Sequence, residues 1–285
     1  ETLAQVEFSI NELKKIVRKT GGCMVWGGEL KLAPADSKII QVEKILGIDV
    51  ESLLLSSIMS KKLAVGSKYV LIDIPYGKKA KVTKKKALHL KNKFESLGKH
   101  YKIKLKAVLT DGSQPIGNGI GPVLEMIDVI KVLNQEQKSP KDLEKKALFL
   151  AGQLLEMTKK TKKGKGVELA KEILHSGKAF EKFKEIIKSQ KGDLSKLKTL
   201  KPAKFKKDIF SKKSGKILEV DNKEINFLAR LAGCPADKGA GVYLYSHIGD
   251  KIKKGDKIIT IYSESKSRLS QAFKFYEESK PIKVR

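Results

Sequence analysis

Lys68-Tyr69-Val70-Leu71-Ile72-Asp73-Ile74-Pro75-Tyr76-Gly77 (KYVLIDIPYG) is a nearly unbroken run of aliphatic and aromatic residues that stops at a proline and a glycine. Its composition is that of a β-strand with a turn after it. Tyr101 to Gly112 (YKIKLKAVLTDG) repeats the theme, and residues 84–98 between the two have helical length and spacing. Strand, crossover helix and strand predict a parallel pair with helices on its faces. Sheets of this kind bind ligands in the crevice at the carboxyl ends of their strands, so the loops after Trp26 and Thr110 become the places to search for chemistry.

Upstream, Ser9 followed by Glu12, with Ile10, Leu13, Ile16 and Val17 at helical spacing, predicts a capping box on an amphipathic helix that ends at Gly21 and Gly22. CMVW (23–26) reads as a short buried strand. WGGELKLAPADS (26–37) follows it, then helical spacing from Asp36 to Gly47, then a helix capped by Asp49 or Ser52 that runs to Lys62. Residues 118–190 read as helices, with turns at Ser139-Pro140, Lys163-Gly164 and Ser176-Gly177. Past a lysine-rich stretch at 191–206 the pattern changes to short strands around the helix NKEINFLARLAG. Gly249-Asp250 and Gly255-Asp256 mark tight strand reversals there. The expected architecture is α/β: a partial α/β domain with a largely parallel sheet over 1–190, a linker over 191–206, and a small C-terminal α+β domain over 207–285.

The 285 residues carry 60 Lys+Arg against 32 Asp+Glu, a formal charge of +28. Such a field attracts phosphates, from small nucleotides to RNA. The cations are mostly lysines on helix faces with few interleaved aromatics, so a solvated surface is preferred over a dedicated nucleic-acid platform and RNA stays a secondary partner. No stretch approaches the roughly 18 apolar residues of a membrane span and no signal peptide is visible, which points to the cytoplasm. Cys23 and Cys234 fit buried thiols better than a disulfide or a zinc site. The sequence opens on Glu1, not Met, and is expected to be a portion of a longer chain. The histidines His89, His100, His175 and His247 are scattered and are given no role.

Gly27 and Gly28 let the backbone leave its strand with unusual torsions and present Glu29 at the lip of the crevice. Two readings stand: a solvated turn carboxylate, or a shielded carboxyl that donates a proton. Asp36-Ser37 opens a helix whose N-terminus can offer backbone N–H groups and a hydroxyl. Ser57 and Lys61 lie four apart and share a helix face. Gly117, Gly119 and Gly121 (QPIGNGIGP) do not have dinucleotide-fingerprint spacing; a close helix-to-sheet approach, with Pro122 and Glu125 in the helix's first turn, is the better reading.

GGELKLAPADSKI, LLLSSIMSKKLAVGSKYVLIDIPYGKKAKV and LTDGSQPIGNGIGPVLE, in this order, resemble the thymidine/pyrimidine-nucleoside phosphorylase superfamily, on the side of its archaeal AMP phosphorylase branch. The resemblance covers nearly the whole chain. It implies phosphorolysis of a nucleoside monophosphate to free base and ribose 1,5-bisphosphate, with inorganic phosphate as co-substrate and neither cofactor nor metal. It also implies a homodimer or larger assembly, and phosphate-binding loops upstream of Glu1, in the same chain or on a complementing N-terminal polypeptide. By this resemblance Glu29 holds the place of the acidic proton donor, Ser37 and Lys61 contact the nucleotide, and Ser57 contacts the base. Gln41 stands where relatives carry a base-binding arginine. The alternatives are a thymidine or pyrimidine-nucleoside phosphorylase, and a non-catalytic basic RNA-binding or assembly protein on the same fold.

Overall fold

The computed structural model describes residues 1–26 and 50–285. Helix α1 (Ile10–Thr20) starts as its sequence dictates: the Glu12 N–H donates to Ser9 Oγ at 3.3 Å and the Ser9 N–H donates to Glu12 Oε2 at 3.0 Å. Gly21 closes the helix at a φ of 74°. Residues 23–26 do not form the expected buried strand. Their backbone is held by a side chain: the Met24 N–H donates to Gln190 Oε1 and Gln190 Nε2 donates to the Met24 carbonyl, both at 2.7 Å. The Trp26 N–H reaches the Val6 carbonyl at 2.8 Å. A buried amide thus does the pairing that a neighbouring strand would have done, and Met24 and Trp26 stay largely exposed. Cys23 and Cys234 are half-buried, unbonded thiols, and burial pushes both upward in pKa.

Helix α2 (Glu51–Ala64) has Val50 at its N-cap with no side-chain bond, so Ser52 falls inside the first turn and does not cap; Asp49 lies outside the described residues. Leu55 and Met59, one turn apart, join the core built on β1 (Tyr69–Tyr76), α3 (Lys84–His100) and β2 (Lys104–Asp111). The two strands pair in parallel from Tyr69 opposite Lys104 to Tyr76 opposite Asp111. Thr83 Oγ1 accepts from the Lys86 N–H at 3.3 Å and fixes where the crossover helix starts. Ala87, Leu90 and Phe94 form its buried face; burying an aromatic such as Phe94 stabilises by roughly 2–3 kcal/mol.

β3 (Gly119–Ile120) departs from the all-helical expectation for 118–190. It precedes α4 (Pro122–Leu133), α5 (Lys141–Met157), α6 (Gly166–His175) and α7 (Lys178–Ser189). After the short α8 (Lys196–Thr199) come β4 (Phe205–Phe210), β5 (Gly215–Val220), α9 (Asn222–Leu231), β6 (Gly241–Leu244), β7 (Lys251–Ile252), β8 (Lys257–Ser263), α10 (Lys266–Ser279) and β9 (Ile282–Val284). Among the described residues the parallel sheet has two strands. The others are antiparallel sheets, ordered β3-β6-β8-β4 and β7-β5-β9. Ile217, Val220, Ile225, Leu228, Val242 and Ile261 make their fully buried core. The Gly-Asp turns are as read: Asp250 Oδ2 and Asp256 Oδ2 accept from the N–H groups of His247 at 2.8 Å and Lys253 at 2.7 Å.

The glycine run is the seam between the two halves. Gly119 pairs with Tyr243 and Ile120 with Val242, so a piece of the first half completes the sheet of the second. A Cβ on Gly119 would come within 2.5 Å of the Leu124 backbone, and one on Gly121, at a φ of 131°, would be driven into the Ala240 carbonyl oxygen. Pro122 occupies the first turn of α4 and Glu125 Oε1 accepts from the Gly121 N–H at 3.0 Å. This is the close helix-to-sheet approach that the spacing predicted. No helix of the described residues is long and apolar enough to cross a membrane.

Candidate functional site

Of the residues singled out from the sequence, Glu29, Ser37 and Gln41 lie outside the described residues. Ser57 and Lys61 are brought together: Lys61 Nζ donates to Ser57 Oγ at 3.3 Å across one turn of α2. Leu55 and Met59 turn the opposite flank of that helix into the core, which leaves the hydroxyl and ammonium pair half-buried on the outward side. Together they offer hydrogen-bond donors and one positive charge, the equipment to hold a polar ring edge or an anion.

The carboxyl ends of β1 and β2 open on a separate groove of about 610 Å³, continuous with a lobe of about 390 Å³ through Asp111, Gln114, Ile116 and Lys146. No residue of α2 lines it. Asp73, which does not itself line the groove, holds two residues that do: its oxygens take the Thr110 hydroxyl at 2.6 Å and Lys146 Nζ at 2.7 Å. Asn222 Nδ2 donates to the Gly112 carbonyl at 2.7 Å and ties α9 to the loop after β2. On the other side Lys79 Nζ meets Asp221 Oδ2 at 2.7 Å, while Asp221 Oδ1 caps α9 by accepting from the N–H groups of Lys223 and Glu224 at 3.0 and 3.3 Å. Burial works to raise the Asp221 carboxyl, but Lys79 and the two N–H groups outweigh it and leave it below its ordinary pKa. The same bond to Asp221 raises Lys79. Lys79 adopts this position at a φ of 100°, a torsion that only glycine takes without strain.

Asp128 escaped the sequence reading. It is almost fully buried on α4, where Leu124, Asp128 and Val132 recur every four residues along one inward face. A carboxylate in that register is the signal that could have found it, because an acid at a core position must be satisfied by something. Its Oδ2 accepts from the N–H groups of Asn118 and Gly119, both at 2.7 Å, and Asp142 Oδ2 accepts from Gly117 at 3.0 Å. Two carboxylates from two helices thus clamp the glycine-rich seam. His247, given no role from sequence, joins this junction through Nε2 at 2.8 Å from Asn118 Oδ1. Among the described residues no cluster of three or more His, Cys, Asp or Glu side chains could hold a metal ion.

Residues 216–283 match the model of the pyrimidine nucleoside phosphorylase C-terminal domain. The whole chain aligns with AMP phosphorylases of Pyrococcus horikoshii at 47% identity, Thermococcus kodakarensis at 46% and Methanocaldococcus jannaschii at 46%. In each case 100% of this chain and 57% of the relative are covered, so the chain spans somewhat more than half the length of the curated relatives it matches. The matched domain is the one built on β5, α9, β6 and β8, and the alignment continues through the parallel pair and α2 to the amino end. The chain is therefore similar over its whole length to the C-terminal portion of archaeal AMP phosphorylases, and its last domain to that of the pyrimidine nucleoside phosphorylases.

Proposed function

We propose that this chain carries the nucleotide-gripping part of an AMP phosphorylase, which cleaves AMP with inorganic phosphate to adenine and ribose 1,5-bisphosphate. The observation that carries the reading is the alignment of the whole chain with proteins named AMP phosphorylase at 46–47% identity. In the reaction the C1′–N bond breaks with its electron pair moving to the base, and a phosphate oxygen forms the new bond to C1′. Glu29 gives its proton to the departing base, and Lys61, with Ser57 one turn before it, offsets the charge that develops there. Ser37 holds the nucleotide, and Gln41 presents an amide to the base where a guanidinium would carry charge. The division into a large-domain portion over 1–190, a linker over 191–206 and a small domain over 207–285 belongs to this proposal, as does a homodimer or larger assembly.

The test is phosphate-dependent release of adenine from AMP by the full-length polypeptide that carries this sequence. Glu29→Gln should lower turnover by about two orders of magnitude or more if that carboxyl is the proton donor. An unchanged rate removes Glu29 from the mechanism. The matched domain model is described by pyrimidine nucleosides, so the second reading is phosphorolysis of thymidine or uridine. Turnover of those substrates with none of AMP would replace the first reading with the second.

A further inference from the structure

Helix α9 buries Ile225, Leu228 and Ala229 in the C-terminal core, which turns Lys223, Asn226, Phe227 and Arg230 to the other side, spaced as one helical face. That face is one wall of the groove at the carboxyl ends of β1 and β2. Lys79 and Lys81 come to the groove from the loop after β1, and Lys146 from α5. Cations from three segments far apart in sequence therefore converge on one concave surface, whereas lysines on a solvated face diverge. Lys79 and Lys146 are matched by Asp221 and Asp73, but Lys223 and Arg230 make no ion pair with the described residues, and Asp111 is the one acid among the described residues that line the main groove. A surplus of positive charge is left on the α9 side.

The groove also has an apolar surface. Phe227 is 48% exposed and Ile116 is 40% exposed. Phe227 is braced from behind by Phe275, edge to face at 4.9 Å between ring centres, so it presents a fixed platform. The volume of about 610 Å³ lies in the range of small-molecule sites, and an open basic track for a polymer would be larger. Cation-rich walls, amide donors at Asn226 and Gln114, and an aromatic shelf suit a compact ligand with a phosphate at one end and a flat ring at the other.

We infer that the groove between α9 and the ends of β1 and β2 is an anion site in its own right. It takes a nucleoside phosphate, with the phosphate held by Lys223 and Arg230 and the ring laid on Phe227. Among the described residues it shares no lining with the Ser57–Lys61 face of α2. The inference rests on the groove's own lining, and among the described residues neither Ser57 nor Lys61 belongs to that lining.

Titration of the full-length polypeptide with pyrophosphate and with AMP, followed calorimetrically, tests it. Lys223→Gln with Arg230→Gln should weaken pyrophosphate at least tenfold, because two charge-assisted contacts are lost, while Lys61→Gln leaves it within twofold. Phe227→Ala should leave pyrophosphate unchanged and weaken AMP at this site several-fold. Pyrophosphate binding that survives the double substitution, or falls equally with Lys61→Gln, overturns a separate site. AMP affinity indifferent to Phe227→Ala overturns the ring shelf. AMP turnover is recorded in parallel, so failure of the phosphorylase reading shows as absent adenine release whatever the groove does. A double variant that unfolds is replaced by Arg230→Lys, which keeps charge but loses the planar fork and should weaken pyrophosphate by less than the double change. Equal or greater weakening by Arg230→Lys counts against the assignment.

Discussion

Asp128→Ala should be among the most damaging single changes at the seam, and the structure sets its size. The carboxylate is almost fully buried, and its Oδ2 satisfies the N–H groups of Asn118 and Gly119 at 2.7 Å each. Alanine leaves both donors without a partner in a close-packed site, where a Cβ built on Gly117 would already come within 3.1 Å of the same oxygen. An orphaned buried donor costs about 1–3 kcal/mol, so the pair predicts a loss of about 2–6 kcal/mol. Asp128→Asn keeps an acceptor oxygen in the same place. Burial raises the Asp128 carboxyl above its ordinary pKa, against the pull of the Gly119 and Asn118 N–H groups and of Lys131. A carboxyl raised in the folded state is protonated more readily there than in the unfolded chain. Its contribution is therefore most favourable below the ordinary carboxyl range and is lost as pH rises through the folded-state value. At neutral pH the asparagine is thus relieved of the buried charge and should stay within about 1 kcal/mol of the parent. Urea unfolding followed by circular dichroism at pH 7 and pH 4 measures both variants, read as midpoint shifts at constant slope. If asparagine and alanine are equally destabilising, or alanine costs less than about 1 kcal/mol, acceptor geometry at Oδ2 is not what holds the glycine seam.

Two further changes probe backbone strain. Gly121→Ala places a side chain at a φ of 131° and against the Ala240 carbonyl, and should cost about 2–5 kcal/mol in thermal unfolding; a shift worth less than about 1 kcal/mol would mean that β3 and β6 separate easily. Lys79→Gly relieves a strained φ of 100° while losing a half-exposed ion pair to Asp221, whereas Lys79→Ala loses the pair and keeps the strain. Glycine should therefore exceed alanine in stability by about 1 kcal/mol, and equal midpoints would show that the torsion carries no cost.

The periodic parts of this fold were legible because local chemistry decides them. Ser9 and Glu12 form a capping box wherever an apolar stripe follows, and KYVLIDIPYG and YKIKLKAVLTDG pair in parallel because a helix of crossover length separates them. The spacing of Ser57 and Lys61 likewise fixed that they meet, since a helix brings residues four apart together whatever surrounds it. Long-range partners were not legible. CMVW has strand composition, yet the Gln190 amide, far along the chain, takes its hydrogen bonds. Asp128 looked like any helix acid until the Gly117–Gly119 backbone packed over it. The outward face of NKEINFLARL became a groove wall once Asp221 and Asn222 anchored α9 to loops more than a hundred residues upstream. Sequence determined the strongly periodic helices and the parallel strand pair, and the relatives that the chain resembles. Tertiary structure alone decided which buried polar groups satisfy one another and where the unmatched cations collect, because both depend on distances set only when the two halves close over the glycine seam.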